Sequence, residues 1–236
     1  MGGWSKAVFE RDLLPNRCII YAGSYLPQRK EWIRRYFDSW SRIRGTWIKY
    51  VYATSRGKEY LLTFNVYGAS MVMELLYLLK DGNVEKLFFI GSTGGKYLSI
   101  GSIVLPIEVV EQAGPVSIED KSKRIIKPRK TSLSRLRSVL NKLNMDYIEG
   151  RILSVPCVLH DITHIHELFE KDDSILGVEL ELSTFYYYSN KLGFEGYVLL
   201  YISDNKEYDI ISGVETVREA RRKALKLITK IALHVI

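Results

Sequence analysis

The sequence GVELELSTFYYYSNKLGFEGYVLLYISD, residues 177–204, is the stretch that decides the fold. It begins with a short acidic motif, continues through an aromatic segment that Gly193 ends, and finishes in an apolar strand that runs out at Asp204. Helices followed by buried strands build α/β proteins, whose ligands bind at the carboxyl ends of strands. We therefore expect the acidic motif and Asp204 to face a shared cleft.

The rest of the chain alternates predicted strands with predicted helices. Apolar runs predict strands at 17–23, 87–90, 101–110 and 147–155, and a hairpin at 46–53 and 59–66. Apolar residues at helical spacing predict helices at 28–40, 69–79, 132–143 and 214–235. The 236 residues are 47% hydrophobic, enough for one domain spanning 1–236. The pattern predicts a layered α/β domain, with helices on both faces of a parallel or mixed sheet.

The formal net charge is +7, and the excess lies in two basic clusters at 121–130 and 218–230. Such clusters can bind nucleic acid. A solvated loop and a solvated helix face are the favoured explanation of these clusters, and nucleic-acid binding explains no part of the acidic motif. We therefore expect no nucleic-acid partner, and the role of the loop at 121–130 stays open.

No apolar run reaches the ~20 residues that a membrane-spanning helix needs, so no membrane contact is expected. The first residues lead into Glu10, Arg11 and Asp12 instead of the apolar segment of a signal peptide. A cytoplasmic location is the default expectation.

Cysteine and histidine spacing gives little support for a metal or redox centre. Cys18 and Cys157 lie far apart and outside any Cys-x-x-Cys motif, so buried thiols are expected and a disulfide between them stays open. His160 and His164 can share one face of a helix, but no Glu follows His160 as the zinc-protease motif requires. We expect no metal site.

A glycine-rich stretch, Gly91-Ser92-Thr93-Gly94-Gly95, follows the apolar strand at 87–90. Glycines in that place let the backbone approach a ligand closely and can form an anion-binding nest. A plain tight turn explains the stretch about as well. Both interpretations stay open.

Several motifs, taken in order, resemble the nucleoside phosphorylase family, which includes purine nucleoside phosphorylases, uridine phosphorylases and methylthioadenosine nucleosidases. The motifs are Gly23, Ile43-Arg44-Gly45, Ile90 to Gly95, Ile100-Gly101, Gly177 to Glu181 and Ser203-Asp204. They span the chain from its first strand almost to its end. The resemblance implies a three-layer α/β/α domain around a mixed, distorted barrel-like sheet.

The resemblance also implies roles for the acids. Asp204, with Ser203 beside it, matches the acid that protonates a purine at N7, although it can also serve only to cap the following turn. Glu181 matches the ligand of the ribose hydroxyls, and Leu180 replaces a methionine that packs on the sugar. Glu179 is excluded from the pocket, because residues two apart cannot face the same way on a helix.

The phosphate site implied by the resemblance is incomplete. Gly23 and Ser92 match, and Arg44 matches an arginine that the family often donates from a neighbouring subunit. Arg29 is the candidate to replace an arginine of the first loop. The arginine expected two residues before Gly91 is missing, because Phe89 stands there. This departure predicts weakened, displaced or absent phosphate binding.

The base pocket is predicted at Gly94 and at Val158, Leu159 and His160, with His160 where the family commonly has phenylalanine. The leading hypothesis is a purine-type nucleoside phosphorylase that yields a base and ribose 1-phosphate. It needs no cofactor, only inorganic phosphate as co-substrate. We expect a homo-oligomer, as a dimer, trimer or hexamer. A phosphate-independent nucleosidase and a non-catalytic nucleoside-binding homologue remain alternatives.

Overall fold

A computed structural model describes residues 3–23, 27–112, 114–157, 171–208 and 213–236, and all of their side chains except those of 27–30. The strands are β1 Arg17–Ala22, β2 Ser39–Trp40, β3 Lys49–Ser55, β4 Lys58–Val66, β5 Lys86–Gly95, β6 Ile103–Glu111, β7 Ile125–Ile126, β8 Ile148–Ser154, β9 Ile175–Glu179 and β10 Glu195–Asp204. The helices are α1 Trp4–Phe9, α2 Pro27–Arg34, α3 Ala69–Asp81, α4 Pro115–Glu119, α5 Lys130–Lys142, α6 Leu182–Leu192 and α7 Glu215–Val235.

The strands form one mixed sheet in the order β10-β6-β8-β9-β5-β1-β4-β3-β2, with β7 added to β6. Strand β5 also pairs with β10, so that β10, β6, β8, β9 and β5 close into a five-strand ring. Strands β1, β4, β5 and β10 run parallel to one another, whereas β9 is antiparallel to β5 and β6 is antiparallel to β10. The predicted mixed, barrel-like sheet is confirmed.

Two apolar clusters cover the two faces of this sheet. One cluster joins α1, α3 and α6 to the sheet through buried residues such as Val72 and Phe185. The other joins α2, α5 and α7 to the opposite face through residues such as Leu136 and Ile228. Each helix places its apolar stripe on the sheet, as amphipathic helices of layered folds do. The predicted three-layer α/β/α arrangement is confirmed.

The helix predicted over 28–40 is wrong in its second half. Helix α2 ends at Arg34, and residues 39–40 form β2, which pairs with the edge of β3. The Asp38 N–H donates to the Thr54 carbonyl at 2.7 Å and leads the chain into this pairing. Trp40 still packs on Phe37 and Phe64. The aromatic side chains whose spacing predicted a helix are therefore packed by a short strand that pairs with the edge of β3.

The glycine-rich stretch is neither a tight turn nor a nest. Strand β5 continues through it to Gly95, and Gly94 pairs with Asp204 on one side and with Val178 on the other. A Cβ atom at Gly94 would lie 2.7 Å from Asp204 Oδ2. The turn and the nest were wrong predictions, because the glycines let three strands approach one another closely. The close approach of this backbone to a ligand stays a prediction.

Cys18 is buried, Cys157 is exposed, and both are free, so no disulfide joins them. Among the described helices, none combines the length and the apolar character needed to cross a membrane.

Candidate active site

The parallel strands β1, β5 and β10 bring predicted site residues to one edge of the sheet. Tyr21 of β1 lies opposite Ile90 of β5 in the last pair of this parallel ladder, and Gly23 and Ser92 each lie two residues beyond it. On the other side of β5, Asp204 lies opposite Gly94. This edge carries the carboxyl ends of the strands, where α/β proteins bind their ligands.

Glu181 reaches the same edge from the start of α6. Its side chain is nearly buried, with 7% exposure, and its Oε1 accepts a hydrogen bond from the Gly68 N–H at 2.7 Å. Gly68 adopts a positive φ of 81° and opens α3 two residues after β4 ends. The neighbouring Leu180 is buried against Leu153 and Val155. Burial raises the pKa of Glu181 to about 7.

Glu179 lies at the end of β9 and not on a helix, so the reason given for excluding it from the pocket was wrong. Its carboxylate turns back into the protein and accepts the N–H groups of Glu181 and Leu182 at 2.6 and 2.7 Å. Burial and the nearby charge of Glu181 raise the pKa of Glu179 to about 8. Because the two carboxyls repel each other, the pair tends to keep a proton near neutral pH.

Asp204 ends β10, half-buried, and Ser203 orients its carboxylate. The buried Ser203 hydroxyl donates to Asp204 Oδ1 at 2.5 Å. Arg221 of α7 donates its Nε–H to the Ser203 carbonyl at 2.6 Å, although the sequence placed Arg221 on a solvated helix face. The following turn is held by Asn205, whose Oδ1 accepts two backbone N–H groups at 3.0 Å. The hydrogen bonds of this turn are thus supplied by Asn205.

The predicted phosphate residues are only partly brought together. Gly23 follows β1 and Ser92 lies in the adjacent β5, but the Gly23 N–H already donates to the Val66 carbonyl at 2.6 Å. Arg44 is half-exposed and pairs with Glu10 of the same chain. The side chain of Arg29 lies outside the described part of the chain.

Phe89 has no access to this edge. It is fully buried in the core, and its ring centroid lies 4.9 Å from that of Phe185. A core aromatic therefore occupies the position at which the family resemblance expected an arginine.

The predicted base pocket is described only at Gly94, because Val158, Leu159 and His160 lie outside the described residues, as does His164. Within the described ranges, no three His, Cys, Asp or Glu side chains are arranged to hold a metal ion.

Sequence reasoning missed the contact between Glu181 and Gly68, which are 113 residues apart. Gly68 could be assigned only as the start of a helix, because no local pattern predicts which side chain a distant N–H will meet. The described site thus contains two acids on one edge of the sheet, Asp204 at the end of β10 and Glu181 beside the end of β4, each held by hydrogen bonds from the protein.

The fold is that of an α/β protein with a closed, barrel-like ring of strands, which carries acids and glycines at the carboxyl edge of its parallel strands. The sequence matches the phosphorylase superfamily over residues 25–236, and the chain belongs to this superfamily. The suspected family is therefore confirmed. No curated protein matches the sequence.

Solved structures show the same fold at low sequence identity. A uridine phosphorylase from Vibrio fischeri ES114 is 16% identical with a TM-score of 0.78, covering 92% of this chain and 89% of its own. A 5′-methylthioadenosine/S-adenosylhomocysteine nucleosidase from Campylobacter jejuni is 14% identical with a TM-score of 0.74, covering 93% and 97%. A futalosine hydrolase from Helicobacter pylori strain 26695 is 18% identical with a TM-score of 0.74, covering 93% and 98%.

Proposed function

We propose that this protein is a purine-type nucleoside phosphorylase, which cleaves an N-glycosidic bond with phosphate and releases a base and ribose 1-phosphate. The observation that carries the proposal is the placement of Glu181 and Asp204 at one edge of the sheet. Cleavage of a glycosidic bond builds positive charge on the sugar and negative charge on the leaving base, so it requires two acidic groups with different tasks.

Glu181 is proposed to bind the ribose. The Gly68 N–H holds one of its oxygens, and the carboxylate accepts hydrogen bonds from the ribose hydroxyls. Hydrogen bonds of this kind are stronger in a site from which water is excluded, and the near-complete burial of Glu181 supplies such a site. Leu180 is proposed to pack on the sugar.

Asp204 is proposed to protonate the leaving base at N7. The Ser203 hydroxyl orients its carboxylate, and the missing side chain at Gly94 leaves room for it. General acid catalysis of this kind contributes a factor of about 10² to 10⁴ in rate. A pyrimidine has no N7, so this arrangement favours purine nucleosides.

Phosphate is proposed to bind beside Gly23 and Ser92. The charge is supplied by Arg29 and by Arg44 of a neighbouring copy in a homo-oligomer, because a dianion needs cationic donors. For this, Arg44 exchanges its exposed partner Glu10 for the phosphate of the adjoining subunit. Exposed ion pairs are weak, so the exchange costs at most about 1 kcal/mol.

Hydrolysis is the second candidate, and the buried Phe89 favours it. An apolar ring in the core supplies no donor to phosphate at the position where the family resemblance expects one. Water as the nucleophile needs no such donor.

A base-release assay separates the candidates. Inosine, adenosine, methylthioadenosine and uridine are each incubated with the protein, with and without phosphate, and the free base is followed. Release that depends on phosphate supports the phosphorylase, and release without phosphate assigns the reaction to hydrolysis. Nucleoside binding without release leaves a non-catalytic homologue.

The role of Asp204 has its own test. The Asp204→Asn variant keeps the size of the side chain, and we expect a loss of purine release of about 10²-fold or more. Asp12→Asn is the matched control, because Asp12 is exposed and forms an ion pair with Lys6 at the surface. Equal activity of Asp204→Asn and wild type would remove Asp204 from the mechanism.

A further inference from the structure

The buried acid Glu179 has no part in the proposed reaction, yet its carboxylate is fully engaged by the protein. Its Oε2 accepts the Glu181 N–H at 2.6 Å and the Leu182 N–H at 2.7 Å. Its Oε1 is hydrogen-bonded to the Ser154 hydroxyl. Both of its carboxylate oxygens are thus engaged within the protein, so neither is offered to a ligand.

Ser154 extends the same arrangement to a third N–H group. It lies opposite Glu179 in the pairing of β8 with β9, and its hydroxyl accepts the Ser183 N–H at 3.0 Å. The N–H groups of three consecutive residues, 181 to 183, are therefore satisfied by two side chains from neighbouring strands. The first N–H groups of a helix lack partners inside the helix, and carboxylates bind them strongly.

These contacts fix the residue that carries the sugar-binding acid. The backbone of Glu181 is held by Glu179, and its carboxylate is held by the Gly68 N–H. With both ends held, the side chain has little freedom to turn away from the cleft. Groups held in the productive geometry before the ligand arrives bind and react better than free ones.

We propose that Glu179 is a positioning residue, which together with Ser154 sets the direction in which Glu181 presents its carboxylate to the sugar. The inference rests on the proposed function, because it assigns Glu179 an effect only through Glu181. A residue that merely caps α6 would instead affect folding and activity whether or not Glu181 is present.

A double-mutant cycle distinguishes these roles, with adenosine and inosine as probes. We expect Glu179→Ala to lower kcat/KM about 10-fold or more, mainly through a higher KM, because sugar contacts are lost. In a Glu181→Ala background the same change has almost no further effect. With 2′,3′-dideoxyadenosine, which lacks the hydroxyls, the loss caused by Glu179→Ala also disappears.

Conservative and matched variants complete the experiment. Glu179→Gln retains an oxygen for the two N–H groups and an amide for Ser154, so it restores most of the activity. Asp81→Asn is the control, because Asp81 is a partly buried carboxylate that accepts the Ser5 N–H at 3.0 Å and lies at the opposite end of α3 from Gly68. If Glu179→Ala does not fold, Ser154→Ala carries the same cycle with a smaller expected loss.

The outcomes separate the two levels of the argument. If the wild type cleaves a purine nucleoside but the loss from Glu179→Ala persists unchanged in the Glu181→Ala background, the positioning role is overturned. The proposed function then still stands. Absence of both nucleoside cleavage and nucleoside binding by the wild type overturns the proposed function, and the positioning role with it.

Discussion

Substitution of Gly94 by alanine tests the site with a single methyl group. A Cβ at Gly94 would lie 2.7 Å from Asp204 Oδ2, whereas ordinary contact begins at 3.4 Å. The Asp204 carboxylate must therefore move by about 0.7 Å, since Gly94 is fixed in β5. Misplacement of about 1 Å costs about 10²-fold in rate, so we expect kcat/KM to fall about 10-fold to 100-fold. That loss corresponds to about 1.4 to 2.7 kcal/mol in the barrier.

Base release from purine nucleosides measures this effect, and Gly95→Ala is the matched control. The three atoms nearest to a Cβ at Gly95 all belong to the Ile202 side chain, the closest at 3.0 Å, so the strain falls on Ile202 and not on Asp204. We expect Gly95→Ala to cost about 1–3 kcal/mol of stability at most and little activity. Full activity of a folded Gly94→Ala protein would refute the role given to Asp204, and equal losses in both variants would indicate general damage to the strand.

Three further predictions concern stability and reactivity. Folding raises the pKa of Glu179 to about 8 and that of Glu181 to about 7, so the folded protein binds protons more tightly than the unfolded chain. The free energy of unfolding is therefore highest below about pH 4.5 and falls as the pH rises toward 8. Urea unfolding should show the free energy of unfolding falling as the pH rises from 5 to 8, and a Glu179→Gln variant with the same slope would contradict this. Phe89→Ala should lower the free energy of unfolding, measured with urea, by about 3–5 kcal/mol, because the ring fills the core beside α6. Phe89→Leu should lower it clearly less. A loss below about 1 kcal/mol for Phe89→Ala would place the ring outside the core. A thiol reagent should label Cys157 in the native protein and Cys18 only after unfolding, because burial raises the pKa of the Cys18 thiol. Rapid native labelling of both thiols would contradict this expectation.

The sequence predicted the elements whose pattern is local. Helix α6, strand β10 and the long helix α7 follow from apolar spacing and from Gly193, which ends α6 with a φ of 85°. These segments bury one continuous face each, so their hydrophobic period reflects their structure directly. The family resemblance then supplied the barrel-like closure, which no local pattern indicates.

The errors arose where distant segments decide the local structure. Strand β5 continues through Gly95 because β10 and β9 pair with its glycines, and residues 39–40 join the sheet because β3 offers a free edge. The contact of Glu181 with Gly68 is of the same kind. In each case tertiary pairing overrides local preference. The residues of the site could therefore be identified from the sequence, but their contacts could not be predicted from it.

The ring closure between β5 and β10 also has a consequence for how the protein folds. Ser203 and Thr93, which meet across this closure, are 110 residues apart in the chain. Pairing of such distant strands requires a large loop to close first, and folding slows as contacts become less local. We therefore expect this edge of the sheet to be among the last parts of the molecule to form, and a nascent chain that has not yet supplied β10 lacks Asp204 even when its first strands are in place.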